Sequence, residues 1–482
     1  MKKMIQMPEE NNKKTIEATV LKLKGRLYEI IYDPDTDEAK FASFNEESGE
    51  IELTNQVEDD NIIYKPLIDK FVQVKAVIFP TKPEPYESEE KLLQDIKAHI
   101  HKYIDISEEN EKICTWTIPT LWLYDKLDMM IPYLRALGDT GCGKSRFLDV
   151  VGGISYKPMM VGGSVTTAIM FRVAEKWKGT MIIDEADWKN TDEFSGVIKI
   201  INCNEPNRPI LRCNSDNYND IQVFDSWCPR IFATRRNFKD VAAESRMLTV
   251  QMKETSRDDI PIALDKEFHE EQSKLRNQLL SYRLRNWSRV NSGIKPTIDL
   301  TGLEPRSKQL INPIAIVFNH REDILGQLSG LLRTRQKDLI KDRAVTDDGV
   351  VINAYLEIIN EGKPCITPTD ISNLVRTQGP EYENITPRKI GHIMKSLGFE
   401  NEIRAIEGHS HRCYVYDENL LNTLKKRYSL KLMECKECTL EPNGGASEEG
   451  SSKLRKLRKL RFTEIWQRIR GRKEGENGGR AS

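Results

Sequence analysis

The sequence has no apolar run approaching the roughly eighteen residues that suggest a membrane-spanning helix, and its opening "MKKMIQMPEENNKK" lacks the apolar core of a secretory signal. Those absences predict a soluble, cytoplasmic protein with no membrane partner. Net charge is nearly absent as well. The 73 Lys and Arg oppose 74 Asp and Glu for a formal −1, so bulk charge argues neither for nor against a nucleic-acid partner. The nine cysteines are odd in number and scattered, which fits a reducing compartment better than a disulfide framework. There is no repeat of solenoid period. What is present is 482 residues, too many for one ordinary domain, with 38% hydrophobic residues to build cores.

Charge is distributed unevenly. Glu46, Glu47, Glu50, Glu58, Asp59 and Asp60 make the beginning acidic, whereas the last thirty residues are strongly basic. Between Thr15 and Phe79, "TIEATVLKL", "RLYEIIYD", "AKFASFN", "EIELTN" and "KFVQVKAVIF" are short β-branched or aromatic runs broken by turn residues, which predicts strands. "FPTKPEPYESEE" is read as a stiff proline-rich linker. Ser88 is then the expected N-cap of a helix. Apolar strands alternate with helices near 131–255, the pattern of an α/β domain with a parallel sheet. One of those helices, "SVTTAIMFRVAEKW", has Ser164 as its expected N-cap.

Residues 138–145, "GDTGCGKS", satisfy G-x-x-x-x-G-K-[ST]. Gly138, Asp139, Thr140, Gly141, Cys142, Gly143, Lys144 and Ser145 form a loop whose main-chain amides can face phosphate oxygens. A following helix would aim its positive end at the anion. Lys144 is expected to reach the outer phosphates, and the Ser145 hydroxyl to ligate Mg²⁺. The context is right: "PYLRALG" reads as a strand before the loop and "KSRFLDVV" as a helix after it, with Arg135 a lone charge in the apolar strand. "TMIIDEAD" reads as a second buried strand delivering Asp184 and Glu185 to the sheet edge, where ligands bind. Asp184 would hold the Mg²⁺ shell and Glu185 would polarise the attacking water. ATP and Mg²⁺ are the expected cofactors.

Taken in order, the loop, the acidic pair, "PRIFAT" and "AAESRMLTV" resemble the AAA+ ATPases, and 114–252 most resembles those of archaeal, plasmid and phage replication systems, in the style of minichromosome-maintenance and superfamily 3 helicases. The resemblance implies Walker A and B motifs and places Thr234 at sensor 1, where many relatives carry Asn. It implies an arginine finger at Arg246, against the plainer reading of a surface salt bridge to Glu244. It offers Arg306 as a sensor 2 residue binding nucleotide from a helical lid. A finger acting on a neighbour implies a homo-oligomer, by the resemblance a hexameric ring. "RPILRCN" and "DIQVFDS" predict a hairpin before sensor 1. Arg208 and Arg212 could contact DNA there, but the acidic tip, Asp216 and Asp220, favours an ordinary hairpin.

"TDISNLVRT", "TPRKIGHIMKSLGF" and the strands "EIRAIEG" and "HRCYVYD" predict a winged helix-turn-helix. Thr386 is the expected N-cap with Pro387 at the first turn. Ile390, Ile393, Met394 and Leu397 make the apolar face, and Arg388, Lys389, His392 and Lys395 the basic one. DNA, single-stranded or duplex, is the expected partner, with protein docking the other use of such a module. His409, His411 and Cys413 with Cys435 and Cys438 lack a second ligand pair, so unpaired thiols are preferred to a zinc site. Leu454, Leu457 and Leu460 amid Lys and Arg leave a basic amphipathic helix and a solubilising tail equally open.

The expected fold class is α/β: a β-rich N-terminal domain over 1–86, a helical linker over 87–130, an AAA+ core over 131–255 and a helical lid over 256–344. A winged helix over 345–428 and a disordered spacer with basic tail over 429–482 complete the chain. The expected function is an ATP-dependent DNA motor, a replicative helicase or replication initiator of a mobile element. Two alternatives stand beside it: an ATP-regulated DNA-binding regulator without translocation, and a loader or remodeller with a docking winged helix.

Overall fold

A computed structural model describes residues 13–428 except 163–165, 185–191, 204, 215–218, 239, 345, 364 and 407–408. Its centre is a five-stranded parallel sheet in the spatial order Met247–Gln251, Tyr133–Leu137, Arg230–Thr234, Met181–Ile183, Met159–Val161. Numbered along the chain that order is 5-1-4-3-2, so the strand ending in Thr234 lies between the strand feeding the glycine loop and the strand delivering Asp184.

Alternation along these strands explains why the sheet is covered on both faces. Leu134, Ala136, Ile182, Ile231, Ala233 and Leu248 point into one core. Helices Glu89–Tyr103, Glu108–Trp122, Lys266–Asn286 and Pro305–Val317 contribute to that core. Tyr133, Met181, Ile183, Phe232 and Met247 point into the other, with helices Thr167–Trp177 and Asp192–Asn202. Arg135 faces this second layer and is 1% exposed. Its guanidinium makes paired bonds of 2.5 and 2.6 Å to Glu244 and further bonds to Thr249 and Asn237. The lone charge in an apolar strand is thus the buried half of an ion pair whose carboxylate is partly exposed.

The chain divides into two compact units, up to Asp338 and from Leu339 onward. The N-terminal strands belong to the first. A four-stranded antiparallel sheet runs Val20–Leu23, Arg26–Asp33, Glu38–Asn45, Glu50–Thr54, and a smaller sheet joins Lys14–Ala18, Ile62–Pro66 and Val57–Asp59. The stretch 70–79, expected as a strand, instead begins with a helical turn, Lys70–Gln73, because the Asp69 carboxylate caps the Phe71 amide at 2.8 Å. Beyond the turn, Val77 bridges to Met159, and Ile30 and Tyr32 share a core with Trp177. The proline-rich stretch is no free spacer either: the Thr81 amide donates to Asn277 Oδ1 at 3.0 Å and the Glu84 amide to the Asn277 carbonyl at 3.2 Å. At the end of that stretch Ser88 caps its helix as expected, accepting from the Lys91 amide at 3.1 Å.

The second unit holds helices Asp347–Asn360, Pro368–Arg376 and Pro387–Ser396, the antiparallel strands Asn401–Ile406 and His409–Tyr414, and helix Glu418–Tyr428. Local signals account for much of it. Thr386 Oγ1 accepts from the Lys389 amide at 3.2 Å. Ile390 and Met394 are fully buried. Arg388, Lys389, His392 and Lys395 face solvent, and Lys389 reaches Asp347 at 2.6 Å. The expectation of unpaired thiols fails here: Cys365 and Cys413 form a disulfide with Cα atoms 5.2 Å apart. The fold brings the segment before one helix against the strand His409–Tyr414, where the Tyr414 amide also donates to the Ile366 carbonyl at 3.0 Å. Cys435, Cys438 and the basic tail lie outside the described residues. No helix among the described residues is long and apolar enough to cross a membrane.

Candidate nucleotide site

Strand Tyr133–Leu137 ends in the glycine loop, and a helical segment starts at Lys144. Two glycines are demanded by backbone conformation: Gly141 at φ +88° and Gly143 at φ +83°, the left-handed region that L residues avoid. Gly138 is demanded by space. A Cβ there would lie 2.6 Å from Cys142 Sγ and 2.7 Å from the Met252 carbonyl oxygen. Cys142 is buried and its thiol donates to the Asp139 carbonyl at 2.9 Å, so its small size fits the loop. Lys144 Nζ folds back onto the same carbonyl at 2.5 Å.

The two motifs converge. Ser145 Oγ donates to Asp184 Oδ2 at 2.9 Å, across 39 residues of sequence, at the carboxyl edge of the sheet. A hydroxyl and a carboxylate meeting there are the hard oxygen donors that Mg²⁺ takes. Burial, and after it the Asp184 charge, pushes the Asp149 carboxyl above its usual range. Glu185 lies outside the described residues, as does Ser164; the helix Thr167–Trp177 is capped by Thr166 instead.

Beside the loop is a cavity of about 190 Å³ lined by Lys144, Ser145, Arg146 and neighbouring loop residues, and by Arg235. Arg235 escaped the sequence reading, although its place directly after Thr234 was the available signal. Thr234 is 1% exposed, and its hydroxyl has no hydrogen-bond partner among the described residues. Its carbonyl accepts from the Gly138 amide at 3.2 Å, fastening the strand Arg230–Thr234 to the loop.

Arg246 stands elsewhere. It precedes Met247, which pairs with Tyr133, while the loop follows Leu137 opposite Gln251. Five strand residues at about 3.3 Å each put Arg246 roughly 16 Å along the sheet from its own loop. The surface pair with Glu244 does not form: Glu244 belongs to Arg135, and Arg246 donates to the carbonyls of Ala242 at 2.6 Å and Asn202 at 3.0 Å. Arg306 is not brought to its own loop. Its Nε donates to Ser245 Oγ at 3.1 Å, and burial, then the Arg246 charge, lowers its pKa. The two arginines therefore share the amino edge of the sheet.

The hairpin forms as Ile210–Cys213 against Ile221–Phe224. Arg208 pairs with Glu205 at 2.8 Å, and Arg212 lies over the Phe171 ring at 5.6 Å. Asp216 is outside the described residues, while Asp220 Oδ2 accepts from Asn214 at 3.0 Å.

No family model and no curated protein matches the chain. Among solved structures it is similar to the apo C-terminal region of NrS-1, at 12% identity over 81% of this chain and 96% of that one, with a TM-score of 0.36. It is also similar to a structure described as SCCmec type IV Cch, active helicase, at 10% identity over 85% of this chain and 80% of that one, with a TM-score of 0.39. Likenesses at this level assign neither family nor activity.

Proposed function

We propose that the chain is an AAA+ type ATPase that works as a motor on DNA, in the role of a replicative helicase or replication initiator of a mobile element. One observation carries the reading: the hydroxyl of Ser145 and the carboxylate of Asp184 meet at the mouth of a glycine loop on the carboxyl edge of a parallel sheet. In this reading the loop amides and Lys144 bind the phosphates of ATP, and Ser145 and Asp184 hold Mg²⁺. The ion, when bound, neutralises charge on the transferring phosphoryl group. Glu185 orients the attacking water, and the buried Thr234 hydroxyl senses the terminal phosphate. The opposite-edge position of Arg246 supports a finger directed at a neighbouring copy, hence a homo-oligomer, with a hexameric ring as the form implied by the resemblance. Arg306, beside it, is better suited to that same interface than to its own nucleotide. The second unit, read as a winged helix, presents Arg388, Lys389, His392 and Lys395 to DNA.

The test is steady-state ATP hydrolysis with and without single-stranded and duplex DNA, beside strand displacement on a forked duplex. Lys144→Ala should abolish hydrolysis. ATP hydrolysis that DNA stimulates, together with an unwound fork, supports the motor. A bound nucleotide and DNA with the fork left paired would instead indicate an ATP-controlled DNA-binding regulator.

A further inference from the structure

Resting on the nucleotide-site reading above, we infer that Arg235 is a second phosphate-binding cation supplied by the same protomer, directed at the terminal phosphate of a nucleoside triphosphate. Its place follows from the sheet. Thr234 pairs in register with Leu137, so Arg235 is the first residue past the sheet edge, on the strand between the loop strand and the Asp184 strand. The bond from the Gly138 amide to the Thr234 carbonyl pins the start of the loop to the residue just before it.

The cavity itself selects for an anion. Its described lining carries the cations Lys144, Arg146 and Arg235 and no carboxylate, within about 190 Å³. These cations divide the work. Lys144 belongs to the loop, as its bond to the Asp139 carbonyl shows. Arg146 is tied through its guanidinium to the carbonyls of Pro261 and Ile262, which commits it to holding the segment after the last sheet strand. Arg235 enters from a different strand, so it can meet phosphate oxygens that the loop amides do not surround. Arg246 cannot do this for its own protomer, being at the other edge of the sheet. A guanidinium also suits the task, since its planar fork binds two phosphate oxygens together.

The discriminating property is preference for a triphosphate over a diphosphate. Full-length wild type, Arg235→Ala and Arg235→Lys would be titrated with ATPγS and with ADP in the presence of Mg²⁺. Arg235→Ala is expected to weaken ATPγS about ten- to hundredfold and ADP less than about threefold, the loss of one charge-assisted contact. Arg235→Lys should recover only part, because an ammonium is a point charge. If Arg235→Ala does not fold, the ATPγS-to-ADP ratio of Arg235→Lys decides. An unchanged ratio in the variants, or equal weakening of both nucleotides, overturns the inference while leaving the site reading intact. A wild type that binds neither nucleotide removes the site reading as well.

Discussion

Glu29 sits at the join between the N-terminal sheet and the rest of the first unit, and its removal should unfasten that join measurably. It is 1% exposed. Its carboxylate accepts from Tyr156 at 2.8 Å and from Arg283 Nε at 2.7 Å, and pairs with Lys157 at 3.0 Å. Arg283, wholly buried in the helix Lys266–Asn286, also forks onto Asp125 at 2.7 and 3.0 Å. Lys157 Nζ adds a bond to the Thr19 carbonyl at 2.9 Å. Two buried cations thus face two carboxylates, and Glu29→Gln leaves one carboxylate between them. Breaking a buried pair from one side costs about 3–5 kcal/mol, and the retained amide oxygen offsets part, so about 3 kcal/mol is expected. Urea unfolding followed by the fluorescence of the buried Trp122 and Trp177 should report a midpoint lower by about 1 M, for a slope near 3 kcal/mol/M.

The pH dependence distinguishes this from a simple packing loss. Burial lowers the Lys157 pKa, and Glu29 is the largest influence opposing that. Without Glu29 the folded pKa falls further below the unfolded value. The unfolded chain then binds more protons over a wider window below about 10.4, so stability rises with pH there. The deficit of Glu29→Gln should therefore be larger at pH 7 than at pH 9.5. A loss below about 1 kcal/mol, equal at both pH values, would refute the argument.

Three further outcomes are expected. His99 is 4% exposed, and burial, opposed by Glu271, lowers its pKa to about 4; below about pH 6.5 the unfolded chain gains a proton that the native one refuses. Stability should then fall by roughly 3 kcal/mol between pH 6.5 and 4, and His99→Phe, which keeps the stack on Phe268, should flatten that slope in thermal melts. Gly138→Ala should weaken nucleotide binding by about tenfold or more in an equilibrium titration, because its Cβ meets Cys142 and the Met252 carbonyl. Ser145→Ala should bind nucleotide within about twofold of wild type in EDTA yet lose the tightening that Mg²⁺ brings, as one of two oxygen donors is gone. Full Mg²⁺ dependence in that variant would exclude Ser145 from the cation site.

Short-range chemistry made much of this molecule readable in advance. The glycine loop is eight contiguous residues whose glycine conformations and following helix are local, so "GDTGCGKS" and "TMIIDEAD" identified the elements that the structure brings together through Ser145 and Asp184. Caps are local too, which is why Ser88 and Thr386 were placed correctly, and periodicity separated the buried Ile390 and Met394 from their basic neighbours. Ser164 and the strand expected over 70–79 were misplaced where a nearby Thr166 or Asp69 offered the competing cap.

Strand order, by contrast, lies in no window of sequence. Only the assembled sheet sets Thr234 and Arg235 between the two motifs, sends Arg246 and Arg306 to the far edge, and turns Arg135 from an oddity into the partner of Glu244, 109 residues away. The Cys365–Cys413 bond and the Glu29 cluster belong with these. Hydrophobic periodicity says which face of an element is buried, whereas the partner on that face is chosen by long-range packing, where a charge or a thiol is stable only once its complement has arrived.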